Sequence, residues 1–76
     1  MPREKAQSKP DLTAIGERIR LLRGDERQQE FAVFLGIAQG QLSKIERGKI
    51  APSVEVLLRL RDRFGKKVDW ILTGRE

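Results

Sequence analysis

The chain contains neither cysteine nor histidine among its 76 residues. Without them there is no disulfide framework, no Cys/His zinc site, and no thiolate or imidazole to serve as nucleophile or base. The serines and threonines that remain have no base partner in the sequence, and a chain this short leaves no room for a substrate cleft beside a catalytic core. A non-enzyme that uses no metal and no cofactor is therefore expected. No apolar run approaches the roughly 20 residues that span a bilayer, and the first residues lack the apolar region of a secretory signal. The expected setting is the cytoplasm.

Length and charge set further bounds. A domain of this size buries only about 60% of its unfolded surface, and its stability should be roughly 4–11 kcal/mol. Sixteen Lys+Arg against eleven Asp+Glu give +5 in a chain that is 36% charged. That excess suits a polyanionic partner, although a well-solvated ordinary surface looks similar. It is also unevenly placed, because residues 49–76 carry seven basic against four acidic residues.

The organising stretch is 28–47, QQEFAVFLGIAQGQLSKIER. Phe31 and Leu35 lie four apart and give one apolar helix face, with Ala32 small enough for a close helix crossing. Leu42 and Ile45 lie three apart and give a second. Gly36, between them, can end the first helix in a left-handed conformation. Gln39, Gly40, Gln41, Ser43 and Lys44 are left on the second helix with nothing apolar to bury. These are short or amide-bearing groups suited to hydrogen bonding, so the pattern is a helix-turn-helix with a polar outer face.

Around this centre the spacing predicts an all-α domain of five helices over 12–76, preceded by a flexible basic arm over 1–11 that carries Arg3, Lys5 and Lys9. The first helix spans about Leu12 to Arg23, capped by Asp11 and ended by Gly24, with Leu12, Ile15, Ile19 and Leu22 as its apolar stripe. Gly16, Glu17, Arg18 and Arg20 fall on its other faces, where solvated charge is the expected state. The second helix spans about Gln28 to Leu35; Arg27 is a poor cap, and Asp25 offers a cap for an earlier start. The third runs from about Gln39 to Glu46 or Arg47, behind Ala38 where Ser or Thr would be the better cap. Gly40 inside it costs up to about 1 kcal/mol relative to Ala, which suggests close backbone approach to a ligand. Ser53 caps a fourth helix, about Val54 to Phe64, whose core is Val54, Leu57, Leu58, Leu60 and Phe64 and whose Arg59, Arg61 and Arg63 form a solvated face. Val68 to Leu72 makes a short fifth helix, with Trp70 as a core anchor or subunit contact.

The upstream IGERIRLLRG, the central FAVFLGIAQGQLSKIERGKIAPS and the closing VDWILTG resemble the Cro and phage-repressor family of DNA-binding domains, the lambda-repressor-like fold, over 12–74. The resemblance implies a sequence-specific, double-stranded DNA-binding transcriptional regulator, a repressor in the nucleoid, whose third helix enters the major groove. Gln28 would hydrogen-bond a phosphate and brace Gln39. Gln39 would read a base edge, most naturally adenine. At Gly40 a side-chain contact is lost, though a thymine methyl could approach there, and Lys44 would reach guanine or phosphate, with Gln41 and Ser43 as flanking candidates. Arg47, Lys49 and the backbone near Ser53 would grip phosphates. Arg23 and Glu46 match a structural ion pair behind the recognition helix.

Four or so base-reading side chains at about 1–3 kcal/mol each cannot single out a genomic site, so a homodimer on a pseudo-palindromic operator is expected, with the fifth helix and its Trp70, Ile71 and Leu72 as the dimer surface. The WILTG ending is similar to the point where longer phage repressors pass into a linker. The alternative from another class is the antitoxin, or another protein-interaction module, of a toxin–antitoxin pair on the same fold.

Overall fold

The computed structural model describes residues 9–75 and contains five helices and no strand among them. These are α1 (Leu12–Arg23), α2 (Gln28–Leu35), α3 (Gln39–Glu46), α4 (Val54–Phe64) and α5 (Val68–Thr73). None is long and apolar enough to cross a membrane. Of the expected basic arm, Arg3 and Lys5 lie outside the described residues, and Lys9 is exposed.

Local signals set the ends of most helices. The Asp11 carboxylate accepts from the Ala14 N–H at 3.0 Å and the Ser53 hydroxyl from the Val56 N–H at 3.2 Å, so α1 and α4 begin at true side-chain caps. Asp25 caps nothing: α2 starts at Gln28 behind an extended Arg27 that makes no side-chain cap bond. The turn from α2 to α3 is made by Gly36 at φ +75, with the Gly36 N–H on the Val33 carbonyl and the Ile37 N–H on the Ala32 carbonyl, both at 3.0 Å. This is the paired-bond ending that a left-handed glycine permits, with Ile37 as the apolar residue beyond it.

The core is one cluster drawn from every helix: Ile15 and Ile19 of α1, Phe31, Ala32 and Leu35 of α2, Leu42 and Ile45 of α3, Val56, Leu57 and Leu60 of α4, and Ile71 of α5. The α4 pattern needs correcting. Val54 is 71% exposed and Leu58 39%, whereas Val56 is buried. The buried stripe runs Val56, Leu57 and Leu60, with Phe64 partly buried at its end; Val54 and Leu58, four residues apart, share the outer face of the helix. Ile71 is also corrected, because it is fully buried within its own protomer and is unavailable to a second copy.

The α1–α3 seam is the most intimate contact in the fold. A Cβ at Gly16 would collide with the Ile45 carbonyl and lie 2.6 Å from the Glu46 carbonyl oxygen. Gly16 is therefore buried against α3 backbone, contrary to the expectation of an outer face. Arg18 also departs from a solvated role, donating from Nη1 to the Ile71 carbonyl at 3.0 Å and tying α1 to the end of α5. Arg63 completes the set. Its guanidinium lies 4.7 Å from the Phe34 ring centroid, 5.0 Å from Phe64 and 5.5 Å from Phe31, and Nη2 pairs with Glu26 at 2.6 Å. The α4 face expected to be plain solvated charge is at Arg63 a cation over three rings.

Candidate nucleic-acid interface

The eight residues of α3 divide cleanly. Leu42, Ile45 and Glu46 are buried, at spacings of three and four, and hold the helix against α1 and α2. Gln39, Gly40, Gln41 and Lys44 are exposed, and Ser43 is half-buried at the flank. No side chain caps the helix. Its first backbone bond is from the Leu42 N–H to the Ala38 carbonyl, so the amides of the opening turn stay available on an exposed end. Apart from its chain neighbours and the backbone of its own helix, no described residue comes within 4 Å of where a Cβ on Gly40 would stand.

One polar network runs behind this face. Arg23 grips Glu46 with two bonds, Nε to Oε2 at 2.7 Å and Nη2 to Oε1 at 2.9 Å, while its Nη1 donates to the Glu26 carbonyl at 2.8 Å. The Glu46 side chain is 4% exposed and that of Arg23 15%, so this is a buried, bidentate ion pair. The hydrogen bond that Arg23 donates to Glu46 holds its guanidinium above the usual arginine range, outweighing the opposite effect of burial. Gln28 adds a third bond, Nε2 to Glu46 Oε1 at 3.1 Å, and its Oε1 accepts from Gln39 Nε2 at 3.4 Å. The expected brace between Gln28 and Gln39 is thus present, and Arg23–Glu46 stands behind it.

Of the residues anticipated from the sequence, Gln28 and Gln39 are brought together, at the first positions of α2 and α3. Gln41, Ser43 and Lys44 continue along the same helix. Arg47 and Lys49 are exposed beyond the far end, about 12 Å away along an eight-residue helix. Arg47 Nε folds back onto the Ser43 carbonyl at 3.3 Å. Lys49 is aimed by the α3 ending, where Gly48 at φ +76 lets the Lys49 N–H reach the Lys44 carbonyl at 2.8 Å. The Ser53 hydroxyl is spent on the α4 cap. The link from Glu46 to Gln28 was not anticipated. Its signal lay in register: Glu46 is four residues after Leu42, on the buried stripe, where a carboxylate needs partners.

Comparison with known proteins adds the family. A helix-turn-helix family model matches residues 18–71, well over half of the chain. The chain belongs to that family, of the Cro/C1 type. Among solved structures, this helix-turn-helix domain is similar to the P22 c2 repressor bound to synthetic operator 9T, with 32% identity, a TM-score of 0.72, and coverage of 80% of this chain and 96% of that one. It is also similar to the restriction-modification controller protein C.AhdI from Aeromonas hydrophila, at 25% identity and TM-score 0.68 over 82% and 97% of the two chains. The clp gene regulator ClgR from C. glutamicum matches at 30% identity and TM-score 0.64 over 83% and 86%. No curated protein matches the sequence. Family and neighbours together make this helix-turn-helix chain a DNA-binding transcriptional regulator.

Proposed function

We propose that the chain is a sequence-specific repressor that binds double-stranded DNA as a dimer, with α3 in the major groove and no catalytic activity. The observation that carries this reading is the braced Gln39, held by Gln28 at the exposed, uncapped start of α3. An amide fixed before binding loses less side-chain freedom when it meets a base edge. Gln39, Gln41 and Lys44 read bases, with Ser43 at the flank, and Gly40 lets the DNA approach the backbone. Gln28, Arg47, Lys49 and the amides around Ser53 hold phosphates.

The alternative, a basic surface on α4 that binds DNA by charge alone, is weakened by what its arginines already do. Arg63 covers three phenylalanine rings, Arg61 pairs with Asp62 at 2.9 Å, and the Arg59 guanidinium packs against Gly36. Four or so base contacts at about 1–3 kcal/mol each cannot single out one genomic site. Two copies on a pseudo-palindrome, about 34–36 Å apart, can. Leu72, 38% exposed on α5, and Leu58, 39% exposed on the adjoining α4, supply the apolar surface for that dimer, beside the half-buried Trp70. Such a repressor works in the cytoplasm, on the nucleoid.

Amide NMR titration with a mixed-sequence duplex at two salt concentrations tests the assignment. Shifts confined to Gln28, residues 38–44 and residues 47–53, weakening steeply with salt, are the expected outcome. Shifts spread over residues 59–67 would overturn it.

A further inference from the structure

We infer that Glu46, whose side chain is 4% exposed, decides which base Gln39 accepts, by fixing the polarity of a hydrogen-bond chain through Gln28. The inference rests on the assignment of Gln39 as a base reader. Its logic needs only the donor and acceptor inventory of the four side chains. Arg23 is a pure donor and occupies both Glu46 oxygens, at 2.7 and 2.9 Å. An ionised carboxylate only accepts. Gln28 must therefore turn its NH2 towards Glu46, as it does at 3.1 Å. The other end of that amide, Oε1, is then the one that faces Gln39, and it only accepts. Gln39 must in turn spend an N–H on it, at 3.4 Å.

What remains on Gln39 for a partner is the carbonyl oxygen and one N–H. That pair complements adenine, which offers N6–H as donor and N7 as acceptor in the major groove. It does not complement guanine, whose O6 and N7 are both acceptors and call for two donors. A glutamine free to rotate can turn its NH2 towards guanine; a glutamine at the end of this chain cannot do so without breaking the bond to Gln28. The substitution Glu46→Gln would relax the constraint, because an amide NH2 in the place of Oε1 can donate to the Gln28 oxygen once it gives up the bond from Arg23 Nη2, leaving Arg23 Nε on the remaining oxygen. Gln28 would then reverse, present its NH2 to the Gln39 oxygen, and leave both Gln39 N–H groups facing outwards. Glu46 is a positioning residue, and its readout is base preference rather than affinity.

The test uses the whole chain and a duplex selected from a randomised pool, with every base pair substituted in turn and Kd measured by fluorescence anisotropy. Wild type should favour adenine over guanine by about tenfold at one position of each half-site, and Gln39→Ala should bring that ratio close to one. Gln28→Met leaves the Arg23–Glu46 pair intact; its melting temperature should stay near wild type while the ratio falls to about threefold or less. Glu46→Gln should move the preference towards guanine. A purely structural role for Glu46 would weaken all duplexes alike and leave the ratio unchanged.

If Gln39→Ala alters no base preference, the assignment of Gln39 fails, and the polarity chain fails with it. If Gln39→Ala abolishes one preference but Gln28→Met preserves it in full, only the polarity chain is overturned. A wild-type preference for guanine at the Gln39-dependent position also overturns it. Should Glu46→Gln fail to fold, Gln28→Met decides.

Discussion

Two glycines sit inside helices of this protein, and they are there for opposite reasons. Gly16 in α1 is buried, and the α3 carbonyls of Ile45 and Glu46 occupy the space a Cβ would need. Gly40 in α3 is exposed, and among the described residues nothing beyond its own helix and chain neighbours lies within 4 Å of its missing Cβ. Each forgoes up to about 1 kcal/mol of helix stability relative to Ala. At Gly16 the packing of the domain accounts for that cost, and at Gly40 nothing within the protein does. The α1–α3 seam is thus determined from inside. The exposed face of the same helix carries no such internal constraint at Gly40.

The largest expected effect tests the seam. Arg23→Ala strips Glu46, whose side chain is 4% exposed, of both its charge-assisted bonds and leaves it to Gln28. An orphaned buried charge costs about 3–5 kcal/mol, a large share of the roughly 4–11 kcal/mol expected of a chain this size. Urea unfolding should show that loss, and a change under about 1 kcal/mol would mean the seam is held by packing alone. The contribution has a definite pH dependence. Because the Arg23 pKa is raised, its stabilisation is complete below the ordinary arginine value and fades only as pH climbs above it. Between about pH 6 and 9 the difference between wild type and variant should therefore be flat in its Arg23 component.

Gly16→Ala probes the same seam by volume. Overpacking typically costs about 1–3 kcal/mol, and the gain in helix propensity returns up to about 1. A net loss of about 1 kcal/mol lowers the melting temperature by roughly 4–8 °C in a domain of this size. An unchanged melting temperature would show that α1 and α3 slide apart freely, and the contrast between the two glycines would dissolve.

On the outer face, effects on stability should nearly vanish and effects on binding appear. Gln39→Ala should relax base preference at one position while Lys49→Ala weakens cognate and scrambled duplexes alike and reduces the salt slope by about 1. Both should melt within about 0.5 kcal/mol of wild type, as exposed substitutions do. Equal effects of the two on both duplexes would erase the distinction between reading and gripping.

How far the sequence alone reached follows the same division. All five helices were legible within a residue or so, because caps at Asp11 and Ser53 and glycines at 24, 36, 48, 65 and 74 punctuate a strong apolar period. The polar face of α3 was legible because Leu42 and Ile45 claimed the other side. Positions that depend on a distant neighbour were not. Val56 displaced Val54 and Leu58 from the core because periodicity gives a stripe but not its phase against α2 and α5. Arg63 looked solvated because no sequence pattern announces three rings from two helices converging beneath it. Gly16 carried the same signal as Gly40, a glycine inside a helix, but only the Ile45 and Glu46 carbonyls tell the two apart.

The smallest effect is the one that would separate them by experiment. Gly40→Ala introduces a methyl group into open space on a helix that has no side-chain cap, so the folded domain should gain about 0.5–1 kcal/mol. In the proposed docking the same methyl lies between the α3 backbone and the groove, and duplex affinity should fall severalfold. Stability and binding would then move in opposite directions from a single methyl group. A variant that is more stable and binds as tightly would make Gly40 a neutral accident of an exposed helix. A variant that is less stable would mean that Gly40, like Gly16, answers to something inside the protein. Only the divergent pair of results makes the glycine a feature of the interface.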